Sequence, residues 1–259
     1  MTTLLIDLGN TALKWTTPEE ADTPHTVIHG GSNQGKDELY RSWLALSPKR
    51  GIGCTVASPT LAFSATKFFN DHHIPWEWVR SEKEHEGTDF RLVNTYARTS
   101  QLGPDRWYAA IGAIALFKEK PLLVVHAGTA TTVDSIFYDG DGHYRFAGGR
   151  IAPGPALMHK ALLAAVPTLD TALRERTDFP QSTADAITTG IIDAQVGLIM
   201  RAYDSMQKTG ASPRVILAGG SAQFLAPHLR AVQPDLVVRH NLVLRGLAEK
   251  AREREKEMP

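Results

Sequence analysis

The residues best suited to chemistry gather at two glycine turns. Leu4-Leu5-Ile6 leads into Asp7-Leu8-Gly9-Asn10-Thr11, and Leu122-Leu123-Val124-Val125 leads into His126-Ala127-Gly128-Thr129-Ala130-Thr131-Thr132. Each is an apolar run, then a glycine among small hydroxyl or amide residues, then more small or β-branched residues. A strand that turns back in this way exposes backbone N–H groups and hydroxyls, the donors that phosphate oxygens accept from. Gly9 allows close backbone approach, Asn10 and Thr11 add donors, and Lys14 can reach an anion from the next strand. Asp7 ends an apolar strand, where a carboxylate is costly unless paired or metal-bound. A plain hairpin with a capping Asp fits the same residues. The second turn continues to Asp134, and there a phosphate loop near a metal competes with an ordinary Thr-rich strand pair.

A third group is Leu102-Gly103-Pro104-Asp105-Arg106-Trp107, ahead of a helix expected over Tyr108 to Phe117. Asp105 suits two roles, an N-cap or a proton acceptor, and Arg106 can pair with a carboxylate or phosphate. Gly148-Gly149-Arg150-Ile151-Ala152-Pro153-Gly154 and Ala218-Gly219-Gly220-Ser221 mark open backbone, as turns or as places where a ligand lies close. The histidines, His85 among them, show no metal spacing in the sequence and read as surface or packing residues. Trp76 and Trp78 read as core or interface.

Positioning these groups requires alternating strands and helices. Strands are expected over Thr3 to Leu8, Ala12 to Thr17, His25 to His29, Ile52 to Ala57 and Trp76 to Arg80. Helices are expected over Asp37 to Leu46 and Leu61 to His72. The second half repeats the order. Strands are expected at Leu122 to Val125, Thr131 to Tyr138 and His143 to Ile151, the last two joined by the hairpin signal Asp139-Gly140-Asp141-Gly142. Helices Ala156 to Ala165, about Thr183 to Lys208 and Ala222 to Ala231 follow, with strands at Val215 to Leu217 and Leu236 to Val238 and a closing helix. The repetition implies an internal duplication. Two α/β lobes, 1–118 and 119–259 with a hinge near Pro121, would then hold a small-molecule site in the cleft between them.

Composition excludes several classes. The 259 residues balance 28 basic against 28 acidic side chains, which gives no footprint for nucleic acid. The single cysteine, Cys54, rules out a cysteine-rich metal site and reads as a small buried residue in a reduced compartment. With no signal segment and no apolar run of membrane length, the expected location is the cytoplasm, away from membranes. The charged stretch from Glu249 to Pro259 reads as a fraying helical end.

Taken together, Asp7-x-Gly9-Asn10-Thr11, Gly103-x-Asp105-Arg106, Gly128-Thr129-Ala130-x-Thr132-x-Asp134 and Gly148-Gly149-x-Ile151-x-Pro153-Gly154 resemble, in order and spacing, the type III pantothenate kinases. That family also includes accessory factors of a virulence regulator (the Bvg accessory factor-like proteins). The resemblance runs from residue 2 to about 248. It implies the acetate kinase–sugar kinase–Hsp70–actin superfamily fold, with duplicated actin-like, ribonuclease H-like lobes. It implies ATP-dependent phosphorylation of the pantothenate primary hydroxyl, in a homodimer whose substrate pocket lies at the subunit interface.

Carried over by residue, Asp7, Leu8, Gly9, Asn10, Thr11, Ala12, Leu13 and Lys14 resemble the ATP phosphate loop, with Asp7 on magnesium, and Thr129 a further ATP contact. Asp105 resembles the general base. Gly103, Pro104, Asp105, Arg106 and Tyr96 resemble the pantothenate pocket, with Arg106 near the substrate carboxylate and Thr183 supplied by the partner subunit. One departure stands out. His126 occupies the place of an Asp that many members use for a monovalent cation, K+ or NH4+. Imidazole is a poor potassium ligand, so cation dependence is in question here. The competing readings are another kinase of the superfamily, acting on a sugar or acetate, and a nucleotide-binding regulator without catalysis.

Overall fold

The computed structural model describes residues 2–30, 36–166, 168–169 and 172–256. Among them the chain runs β1 (Thr3–Leu8), β2 (Ala12–Thr16), β3 (His25–Ile28), α1 (Lys36–Ala45), β4 (Arg50–Thr55), α2 (Pro59–Asp71), β5 (Trp76–Trp78), β6 (Glu84–Glu86), β7 (Arg91–Asn94), α3 (Pro104–Leu116), β8 (Leu122–Ala127), β9 (Ala130–Gly140), β10 (His143–Pro153), α4 (Pro155–Ala165), α5 (Thr183–Gln207), β11 (Arg214–Ala218), α6 (Ala222–Val232), β12 (Val237–Val238) and α7 (Leu242–Lys256). The elements form two compact units. One comprises residues 1–119, 138–146 and 241–259, and the other 120–137 and 147–240.

In the first unit a five-stranded sheet has the order β3-β2-β1-β4-β5. β1 is antiparallel to β2 and parallel to β4, and β4 is parallel to β5. The run Leu4-Leu5-Ile6 is fully buried, as a central strand covered on both faces must be. On one face Leu4, Ile6, Leu8, Leu13 and Trp15 pack with Leu39 and Trp43 of α1 and Leu61, Ala65, Phe68 and Phe69 of α2. Trp76 stacks on Phe69 at 4.0 Å and belongs to this core, as its sequence context suggests. The helices α3 and α7 cross each other and also pack on the sheet strands. Gly112 and Gly246 make that crossing close, because a Cβ at Gly246 would strike the Tyr108 carbonyl and one at Gly112 the Leu242 carbonyl.

The second unit repeats the plan in the order β12-β11-β8-β9. β8 is antiparallel to β9 and parallel to β11, and β11 is parallel to β12. In each unit, then, a first strand turns back into its antiparallel neighbour, and a helix returns the chain parallel on the other side. The duplication expected from the sequence is present at the level of strand pairing. Leu123, Val125, Val133, Ile199, Ala202, Met206, Leu217, Leu225 and Leu229 form the core beneath α5 and α6, with Val196 and Leu198 packed against it.

Three features differ from the sequence reading. The short strands β6 and β7 fall where no element was expected, because Glu84-His85-Glu86 offers no apolar alternation. α3 begins at Pro104, ahead of the expected Tyr108, since Pro is pre-set for the first helical position. A single cut near residue 118 does not describe the units: α7 is in the first, and β9 and β10 are shared. The hairpin signal holds, with Asp141 and Gly142 both at positive φ between β9 and β10, as a primed turn needs. Residues 257–259 of the charged tail lie outside the described residues.

Candidate active site

Asp7 lies near the C-terminal end of β1, the end at which parallel α/β sheets present ligand sites. Its ladder partners are Lys14 on β2 and Cys54 on β4, so it sits between an ammonium and a thiol. The Cys54 thiol donates to Asp7 Oδ1 at 3.8 Å, a weak bond. Burial pushes the Asp7 carboxyl up to about 6, against the field of Lys14; the Asp105 carboxylate adds to the rise. The same burial holds the Cys54 thiol well above its ordinary range, so it stays protonated. That matches the sequence reading of Cys54 as a small buried residue.

The turn after β1 is pinned while its tip stays open. Gly9 N–H donates to the Ala12 carbonyl at 3.0 Å, and the Thr11 carbonyl accepts from His29 and Gly30 N–H. The His29 ring Nε2 lies 3.2 Å from the Gly9 carbonyl, which fixes the loop from just past the end of β3. Asn10 and Thr11 are exposed, whereas Leu8 and Leu13 are buried opposite each other. Only the backbone of those two leucines can face a ligand.

Asp105 is the second residue of α3, and the capping position belongs to Gly103, which makes no side-chain cap bond. The carboxylate accepts from the backbone N–H groups of Asp105 and Arg106, yet burial still raises its pKa. Gly103 permits this pose, because a Cβ there would lie 2.5 Å from Asp105 Oδ1. Asp105 is thus a half-buried acid beside a second raised acid, and not the N-cap of its helix.

Arg106 follows, 6% exposed. Its Nη1 donates to the Tyr96 hydroxyl at 3.0 Å, and its Cζ lies 5.8 Å from the Tyr96 ring centre and 5.7 Å from that of Phe146. Asn94 Oδ1 accepts from Tyr96 N–H at 3.0 Å, and the Thr95 hydroxyl donates to the Phe146 carbonyl at 2.7 Å, so the loop carrying Tyr96 is tied down on both sides. The structure therefore joins Asp7, Lys14 and Asp105 electrostatically, and Tyr96 with Arg106 by contact. His29, Asn94 and Phe146 escaped the sequence reading.

The remaining site residues lie in the second unit. Thr129 is exposed at the β8–β9 turn, and its carbonyl accepts from Gly154 N–H at 2.9 Å. Gly154 and Gly219 press on this turn: a Cβ on the first would strike the Gly128 carbonyl, and on the second the Ala127 carbonyl. These glycines serve backbone packing here. His126 on β8 pairs with Thr132 and Ala218, and Asp134 is buried opposite Val124. Thr183 is the exposed first residue of α5, behind a Ser182 cap that accepts from Asp185 N–H.

A model of the type III pantothenate kinase family matches residues 3–205. The chain belongs to the type III pantothenate kinase family. Curated relatives of that name cover nearly all of it. The protein from Acidovorax ebreus is 34% identical over the full length of both chains, and that from Cupriavidus pinatubonensis is 36% identical over 94% of this chain and 96% of its own. Among solved structures, a protein described as a Baf family transcriptional activator from Campylobacter jejuni aligns with a TM-score of 0.59 at 20% identity, covering 98% of this chain and 99% of its own. The activator of 2-hydroxyisocaproyl-CoA dehydratase from Clostridium difficile, with bound ADPNP, aligns at 0.53 and 13% identity, covering 100% and 98%. At those identities the likeness concerns the fold alone.

Proposed function

We propose that this chain transfers the γ-phosphoryl group of ATP to the primary hydroxyl of pantothenate, the first step of coenzyme A synthesis. Membership of the pantothenate kinase family supports the substrate pair, and one observation carries the mechanism. Asp105 is a raised, half-buried acid whose charge is felt at Asp7, on the helix turn that also presents Arg106. A base works best when its pKa approaches the operating pH, and burial moves Asp105 that way.

Asp105 takes the hydroxyl proton as the pantothenate oxygen bonds to the γ-phosphorus and the bond to the ADP oxygen breaks. Arg106, steadied by Tyr96, receives the acceptor's carboxylate. The segment Asp7 to Lys14 cradles the phosphates, with Lys14 supplying charge and Thr129 a further ATP contact. Asp7 fits magnesium: its carboxylate is half-buried, its bond from Cys54 is weak, and hard divalent cations take such oxygens. When bound, magnesium neutralises phosphate charge. Homodimerisation, with Thr183 reaching the partner's acceptor, and a cytoplasmic location complete the proposal. Among the described residues no helix is long and apolar enough to cross a membrane.

The test is ADP release from purified protein with ATP and magnesium, and pantothenate, acetate or a sugar as acceptor. ADP release specific to pantothenate is expected. Tight ATP binding without turnover would favour a regulator, and turnover on a sugar would favour another kinase. We assign the place of the monovalent cation to His126, so wild-type turnover should be indifferent to potassium, and His126→Asp should create potassium activation. Strong activation of the wild type would overturn that assignment.

A further inference from the structure

We propose that Phe146 is a positioning residue: its ring holds the Arg106 guanidinium in place and so sets affinity for the carboxylate end of the acceptor. The proposal rests on the pantothenate reading above. Arg106 is a long, flexible side chain whose planar fork must be held in one orientation to grip a carboxylate with two N–H groups. Two rings lie near its Cζ, Phe146 at 5.7 Å and Tyr96 at 5.8 Å, both within cation–π reach. Tyr96 also holds it by the hydroxyl. Phe146 has only its ring face to offer. An aromatic face engages the guanidinium through its charge and its plane, while an anion is gripped along the N–H edge, so the two modes are compatible.

Phe146 is itself fixed before any ligand arrives. It is fully buried, edge-on to Tyr96 at 5.9 Å and 6.4 Å from Trp107, and its carbonyl accepts from Thr95 N–H and from the Thr95 hydroxyl. A rigid wall lowers the ordering cost that Arg106 would otherwise bear on binding. Leucine would keep the core filled but has no negative ring face, so its effect should fall on the carboxylate and on little else.

Phe146→Leu, with Phe146→Met as a second filling of the same space, is compared with wild type by ADP-coupled kinetics. The acceptors are pantothenate and its analogue carrying CH2OH in place of the carboxylate. KM for pantothenate should rise roughly tenfold with kcat within about twofold, while KM for the analogue shifts by less than about twofold. In an Arg106→Gln background, Phe146→Leu should add nothing to KM. Equal losses on both acceptors, or a full loss persisting without Arg106, would reduce Phe146 to core packing and overturn the proposal. A wild type that phosphorylates neither acceptor overturns the underlying reading as well. KM for ATP and the circular-dichroism spectrum report whether each variant is folded.

Discussion

Two polar clusters inside the first unit invite comparison. One gathers Asp7, Lys14, Cys54 and Asp105; the other gathers Glu82, His85, Lys250 and Glu253. Both contain two carboxylates and an ammonium, and both carry shifted pKa values. In the second, the buried Lys250 ammonium lies 2.7 Å from Glu82 and 2.8 Å from Glu253, so the charges are satisfied by direct contact, within α7 and with the segment ahead of β6. His85, 3.5 Å from Glu253, is held down to about 4 by burial and stays neutral. In the first, Lys14 acts on Asp7 through its field, and the hydrogen bond Asp7 accepts comes from a thiol at 3.8 Å. A perturbed titration thus does not by itself separate a reactive cluster from a structural one. What separates them is how the compensating charge is delivered, by direct contact with Lys250 in the second cluster and only through the field of Lys14 in the first.

The contrast breaks most visibly at Asp105. Asp105→Asn should lower turnover by roughly two to four powers of ten while the melting temperature stays near wild type. Near-normal turnover would leave Asp105 with only its backbone bonds at the start of α3. Next comes Lys250→Met, which strands Glu82 and Glu253 together. Denaturant titration should show a loss of about 2 kcal/mol, below the cost for a wholly buried pair because both carboxylates keep some exposure, with kcat retained. An unchanged midpoint would mean that water already satisfies this cluster.

The smallest effect is the most diagnostic. The folded pKa of Asp7, about 6, lies above its ordinary 3.8, so the fold favours the protonated acid. That contribution is complete below pH 3.8 and is lost as pH rises through 6. Asp7→Asn should therefore match wild-type stability near pH 4. It should gain about 1 kcal/mol above pH 6, discounted for partial exposure, while magnesium-dependent turnover falls. Destabilisation at pH 7 would mean that Asp7 is as firmly paired as Glu253, and the contrast would collapse.

Much of this was legible because it is local. The run into Asp7, the Asp141-Gly142 turn and the α5 start at Thr183 each lie within a few residues of their cause. The residues that escaped are long-range partners. Phe146 meets Arg106 across 40 positions of chain, and Glu82 meets Lys250 across 168. Neither pair carries a periodicity or spacing that a linear reading detects. β6 escaped for a different reason, since Glu84 and Glu86 flank a single buried His85 and give the strand no apolar signature.

The place of α7 has a consequence for biogenesis. Arg106 to Ile114 of α3 are buried throughout, and α7 is the helix that α3 crosses at Gly112 and Gly246. A ribosome delivers all of residues 120–240 before it delivers α7. The second unit can thus complete its own core during translation, while α3 waits with an uncovered apolar flank. Chaperone capture of nascent chains should peak in that interval and end once the Leu242–Lys256 stretch clears the exit tunnel.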